Sequence, residues 1–313
     1  MKNTIKILGL VAIIMVSSLL IFATENNSDT STETSEKKET IKNNSNTSES
    51  YQIRALKIPS NLEFAGEQVP IEKGDIRERI DRELLVNTYW QSNGLLLFKR
   101  ANKYFPIIEP ILAKNGIPDD FKYLAVIESG LQDVTSPAGA KGFWQIMSST
   151  AKEKGLEVNS NVDERYHLEK ATQVACDYLN ASKKRFGSWT LAAAAYNAGN
   201  AGISRRLKAQ KVDDYYDLLL VSETSRYLPR IVAVKEILSN PSKYGFIFDE
   251  EDLYTLEETK IIKVDTAIAN IAEFSKNLGI NYKILKNHNS WLRENKLNNK
   301  SRKLYEIKIP VNN

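Results

Sequence analysis

The chain has 313 residues, 42% hydrophobic and 26% charged, which is ordinary globular usage and enough for one large domain or two modest ones. Its formal charge of +4 permits an anionic partner such as a bacterial wall but lacks the clustered basic face that nucleic acid requires. Its 14 glycines form no GxGxxG or P-loop pattern, there is no GxSxG or HExxH, and His167, His288 and Cys176 are the only residues of their kinds. Nucleotide chemistry, a serine triad, a metal centre and a disulfide framework are therefore disfavoured. What remains is chemistry on carboxylates, hydroxyls and amides, with no cofactor and no metal expected.

The first residues carry Lys2 and Lys6, followed by an uncharged apolar stretch over residues 7–23. A basic start followed by such a stretch predicts export, with 1–23 a signal peptide cleaved near Ile21-Phe22-Ala23 or a retained membrane anchor. Residues 25–50 hold 16 Asn, Ser and Thr and a single aliphatic side chain, Ile41. That cannot bury enough apolar surface to order itself, so 24–52 reads as a disordered linker.

From residue 53 the pattern changes. Gly74-Asp75 opens a stretch in which Ile76, Ile80, Leu84 and Leu85 recur at helical spacing. Residues 95–105, 121–129, 168–186, 191–197 and 225–238 read the same way. Pro118 before Asp119-Asp120, and Gly130 after Ser129, bracket one of these helices. Residues 53–245 are thus predicted to be a mainly α-helical domain. Strands at 260–264 and 305–309 around helices at 267–278 and 282–287 predict a small α+β (βααβ) module over 260–313, suited to binding rather than catalysis. Cys176 lies in a helical run and reads as a buried structural thiol.

The chemistry begins at Glu128. Phe121, Leu124 and Glu128 share one helical face, so the carboxylate sits among apolar side chains in the last turn of its helix. Burial and the helix dipole both raise the pKa of such a group, as a general acid working near neutrality needs. The other reading is a structural glutamate bonded to a buried partner. Three more segments stand out: Ser136-Pro-Ala-Gly139-Ala-Lys-Gly142-Phe-Trp144-Gln145, the alanine-rich end Ala195-Tyr196-Asn197-Ala198-Gly199, and Ser222-Glu223-Thr224-Ser225-Arg226-Tyr227-Leu228-Pro229, where Tyr227, Ile231, Val234 and Leu238 form a stripe. Taken singly each has a plain explanation, such as a half-buried tyrosine or close helix packing.

Together, and in this order, the four segments resemble the lytic transglycosylase branch of the goose-type lysozyme superfamily. The resemblance covers roughly residues 60–245, and the tail resembles a degenerate LysM-type module with Val264-Asp265-Thr266-Ala267 in place of the usual Gly-Asp-Thr-Leu start. It implies a lysozyme-like catalytic domain. It also implies cleavage of the β-1,4 bond between N-acetylmuramic acid and N-acetylglucosamine in peptidoglycan, with a 1,6-anhydro end formed instead of water added. By the same resemblance Glu128 is acid and then base, and Tyr227 hydrogen-bonds and aims its carboxyl. Ser129 fixes the helix end, and Ser136, Gln145, Tyr196 and Asn197 line the saccharide. The substrate's own acetamide supplies the nucleophile, so no second carboxylate is required. A lysozyme-type hydrolase and a non-catalytic peptidoglycan-binding protein are the competing readings. The expected partner is the glycan strand, at the periplasm or cell envelope, with a membrane engaged only through the N-terminal segment, and the protein is expected to be a monomer. Every matched motif precedes Tyr244, so the tail reads as separable from the site.

Overall fold

The computed structural model describes residues 53–311; the segments read as export signal or anchor and as linker lie outside the described residues. A short hairpin, β1 (Glu63–Phe64) and β2 (Glu67–Gln68), precedes α1 (Gly74–Tyr89), α2 (Gln91–Lys114), α3 (Lys122–Ser129), α4 (Ser148–Glu153), α5 (Leu168–Phe186), α6 (Trp189–Ala198), α7 (Asn200–Gln210) and α8 (Ser222–Ser239). The chain then forms β3 (Thr259–Val264), α9 (Ile271–Asn277), α10 (Tyr282–His288) and β4 (Tyr305–Pro310). The fold is mainly α with a small βααβ module, as the sequence predicts. Among the described residues, no helix is long and apolar enough to cross a membrane.

Helix α8 is the axis of the larger region, packing on α1, α3 and α6. The sequence shows only a stripe on it, but Thr224, Tyr227, Leu228, Ile231, Val232, Ala233, Val234 and Ile237 are all buried, which surrounds the helix with protein. Pro229 lies inside it and cannot donate to the carbonyl four residues back. That carbonyl, on Ser225, accepts instead from the buried Tyr215 hydroxyl at 3.0 Å. The alanines Ala192–Ala195 of α6 are wholly buried and let α5 and α8 approach closely.

Two predicted helices depart from their expected bounds by a turn or more. The helix predicted over 95–105 is longer in the structure: α2 runs from Gln91 through Pro106 and Pro110 to Lys114. Asn102, Pro106 and Pro110 are all exposed, so the carbonyls the prolines leave unbonded face solvent, where water satisfies them. The helix predicted from Ala267 starts at Ile271, because the Asn270 side chain accepts from the N–H groups of Ala272 (2.9 Å) and Glu273 (3.2 Å). Ile268 instead pairs with Leu297.

Strands β3 and β4 pair antiparallel, Val264 opposite Tyr305 and Thr259 opposite Pro310. On β4, Tyr305, Ile307 and Ile309 point inward, with exposed Glu306 and half-buried Lys308 between them. They join Ile271, Leu285, Trp291, Leu292 and Leu297 in a second core, and Val162 and Tyr166 from the loop before α5 complete it. The Asp163 N–H donates to the Trp291 carbonyl and the Arg293 N–H to the Asn161 carbonyl, both at 2.9 Å. The module is therefore planted on the larger region. The sequence, whose site motifs all precede Tyr244, predicts a separable tail and gives no sign of this interface.

Candidate active site

Glu128 is in the last turn of α3, which Gly130 ends in a left-handed conformation (φ 62°). Its carboxylate accepts a short hydrogen bond from the hydroxyl of Tyr227, a buried side chain on α8. Burial raises the Glu128 pKa to about 7; the nearby Glu223 charge pushes the same way, while the Tyr227 hydroxyl and the Arg230 charge oppose it. The Tyr227 hydroxyl is itself held well above the ordinary tyrosine range, first by burial and then by the Glu128 charge, so it stays a donor. The acid singled out from helical spacing and the tyrosine assigned to it by resemblance are thus in direct contact.

The glycine-rich segment is a tight turn on which Thr135 and Ile146 both pair with Lys141. Gly142 has φ 76°, and an added Cβ would lie 2.1 Å from the Arg165 carbonyl oxygen, so only glycine fits. Gln145 also adopts a left-handed backbone (φ 45°), and its amide donates to the carbonyls of Gly142 (2.8 Å) and Val134 (3.2 Å). The Ser136 hydroxyl accepts from the Ala140 N–H at 3.1 Å. Ser129 is buried and donates to the Phe143 carbonyl at 2.9 Å, tying the turn to the residue beside Glu128.

Tyr196, near the end of α6, donates its hydroxyl to the Trp144 carbonyl at 2.8 Å. Asn197 joins α6 to the start of α8: its oxygen accepts from Thr224 at 2.8 Å, and its nitrogen faces Glu223 at 3.4 Å. Seven side chains expected from the sequence therefore belong to one linked arrangement. Only Tyr227 touches the acid directly in the bonds formed. Ser129, Ser136, Gln145 and Tyr196 spend polar atoms on the turn backbone.

Sequence reasoning missed the residues that hold this arrangement. Glu83 on α1 is fully buried and accepts from Arg226 and Arg82, each at 2.6 Å, with Arg230 at 3.6 Å. Arg226 and Arg230 flank Tyr227, so Glu83 pins α8 where the tyrosine must point. Its signal was present: Glu83 follows Ile76 and Ile80 on the apolar face of its helix, the test that picked out Glu128. Glu67 on β2 accepts from the N–H groups of Trp189 (2.6 Å) and Thr190 (2.9 Å) and from the Ser188 hydroxyl (2.9 Å), capping the helix that carries Tyr196. Burial would raise the Glu67 carboxyl, but these donors hold it below the ordinary range. No sequence signal links a hairpin to a helix more than a hundred residues on.

Among the described residues, no group of His, Cys, Asp or Glu is placed to hold a metal ion. Cys176 is buried, and burial pushes its thiol up to about 12.

Residues 105–219 match the Transglycosylase SLT domain family. The chain carries a transglycosylase SLT domain. Residues 260–313 match the Soluble lytic transglycosylase C-terminal LysM-like domain. Over 191 residues the chain is 31% identical to Membrane-bound lytic murein transglycosylase D of Escherichia coli K12, to which it is homologous; the alignment covers 58% of this chain and 41% of that relative. The chain thus spans well under half the length of the curated relative it matches. Among solved structures, the 70 kDa soluble lytic transglycosylase SLT70 of Escherichia coli matches at TM-score 0.38 and 24% identity, over 46% of this chain and 25% of that one. The lytic transglycosylase Slt of Pseudomonas aeruginosa matches at TM-score 0.36 and 18% identity, over 59% and 36%. The SLT match contains Glu128, Ser129, Ser136, Gln145, Tyr196 and Asn197, while Tyr227 lies beyond its end.

Proposed function

We propose that the protein is a lytic transglycosylase that cleaves the β-1,4 bond between N-acetylmuramic acid and N-acetylglucosamine in peptidoglycan. The observation that carries this reading is the Glu128 carboxyl, raised to about 7 and bonded to Tyr227. At neutral pH such a group is present in both protonation states, so it can give a proton and take one back. In the first step protonated Glu128 delivers its proton to the glycosidic oxygen. The bond from that oxygen to the muramoyl C1 breaks as the substrate's acetamide oxygen attacks C1. In the second step the carboxylate takes the proton of the C6 hydroxyl, whose oxygen displaces the acetamide from C1. The product is a 1,6-anhydro end, and Glu128 is again protonated.

The gain over a paired-carboxylate glycosidase is that no second acid need be held beside the first. Tyr227 aims the carboxyl, and Ser136, Gln145, Tyr196 and Asn197 shape the saccharide site around it. Exported or anchored through residues 1–23, the enzyme works at the cell envelope, as the name of its membrane-bound relative suggests. Digesting purified sacculi and weighing the fragments tests the proposal. Anhydro ends are expected; reducing ends make the protein a hydrolase, and no fragments make it a binder.

A further inference from the structure

We infer that the C-terminal module is a positioning element of the active site, acting through Arg165, and not only an appended binding unit. The inference rests on the catalytic reading of Glu128. Residues 290–293 of the module grip the loop before α5: Val162 bridges Leu292, the Ser290 hydroxyl donates to the Tyr166 carbonyl at 3.0 Å, and the Arg293 guanidinium lies 4.2 Å from the centre of the Tyr166 ring. Asn161, buried in that loop, donates to the Lys296 carbonyl at 2.7 Å and accepts from the Asn298 N–H at 2.8 Å.

The same loop holds the glycine-rich turn from its other side. Arg165 is buried and is locked by both oxygens of Asp163, at 2.9 and 2.8 Å. Its remaining nitrogen donates to the carbonyls of Gly139 (3.0 Å), within the turn, and Ile146 (3.3 Å), at its end. The Arg165 carbonyl fills the space a Gly142 side chain would take, and Tyr166 bonds Thr135 at 2.9 Å. From the turn the path runs through the Phe143 carbonyl to Ser129, next to Glu128, and through the Trp144 carbonyl to Tyr196. Every joint is a direct contact, so slack in the module's grip is transmitted to the turn. A misplacement of about 1 Å at such a distance can cost up to ~10²-fold in rate.

The test uses the full chain carrying Ser290→Ala with Arg293→Ala, a milder Ser290→Ala alone, and Arg302→Ala as a control on the module's exposed surface. Amide exchange over residues 134–146 and steady-state kinetics on soluble glycan strands are measured for each. The expected result for the double variant is faster exchange in the turn and kcat reduced about tenfold, with KM within about twofold. Ser290→Ala should lie between it and the wild type, and Arg302→Ala should match the wild type. Unchanged exchange in the turn overturns the inference, as does faster exchange with unchanged kcat, or a change confined to KM. Should the double variant fail to fold, Ser290→Ala decides by the same criteria. If the wild type itself cleaves nothing, the catalytic reading falls, and the exchange measurement still reports on the grip.

Discussion

At Glu128 the decisive balance is between burial, which favours the neutral acid, and the Tyr227 hydroxyl, which favours the carboxylate. Glu128→Gln is expected to abolish cleavage, a loss of ~10²–10⁴-fold or more, because an amide neither gives nor accepts the proton. It should also be more stable than the wild type above pH 7. A carboxyl raised from 4.5 to about 7 binds more protons folded than unfolded, so wild-type stability falls as pH rises through that window. The difference should reach up to about 3 kcal/mol at pH 8 and vanish below about pH 4.5, measured by urea unfolding at each pH. Tyr227→Phe tests the other side of the balance. Removing the donor destabilises the carboxylate, so the alkaline fall of kcat/KM near pH 7 should move upward while kcat drops. A limb that stays in place means that the hydroxyl does not act on the carboxyl.

Among the structural elements, the glycine-rich turn is held from several sides, by Ser129, Tyr196 and Arg165. Gly142→Ala would press a methyl group against the Arg165 backbone at a positive φ, and neither side is a flexible side chain that could swing away. A loss of about 3 kcal/mol or more and poor activity are expected, read by thermal unfolding and turnover. A fully active, equally stable Gly142→Ala protein would mean that the turn has slack the structure does not show. This turn also shows what was legible beforehand. The helices that carry Glu128 and Tyr227 announce themselves by spacing and by Pro118 and Gly130, and the acid by its place on an apolar face. Glu83 passes that same test and is structural, held by arginines, so the face alone does not separate a catalytic carboxylate from a buried ion pair; only the partner does. Arg165 and Glu67 carried no local signal. Their work is done on backbone atoms distant in sequence, and backbone donors and acceptors look alike at every residue. The run through Pro106 and Pro110 was missed for a related reason. Whether a proline breaks a helix depends on which way its lost bond faces, and that is decided by tertiary packing.

Across the whole molecule, the joint between the two regions adds to its apolar and backbone contacts a set of carboxylates on the larger region meeting lysines on the module. Lys303 reaches Glu157 at 2.7 Å and Glu164 at 3.2 Å, Tyr305 donates to Glu157 at 2.9 Å, and Lys308 pairs closely with Glu169. Burial would raise each of the three carboxyls, but the lysines and neighbouring donors outweigh it, and His167 and Lys308 hold Glu169 down at about 2. A carboxyl depressed from 4.5 to about 2 stabilises the fold above the higher value and loses that contribution as pH falls through the window. The joint therefore weakens as pH falls from 4.5 toward 2, whereas the Glu128 site has already shed its buried charge as pH falls from 7 to 4.5. Glu169→Gln should cost on the order of 1–2 kcal/mol at pH 7, after allowance for the partial exposure of the pair, and almost nothing at pH 2. Paired with Glu128→Gln in urea unfolding from pH 2 to 8, the two variants should depart from the wild type in opposite directions as pH rises. Glu169→Gln should open its deficit first, as pH climbs from 2 toward 4.5, and Glu128→Gln its gain only between 4.5 and 7. A deficit in Glu169→Gln that is the same at pH 2 as at pH 7 would trace it to lost packing, and the electrostatic account of the joint would then be wrong.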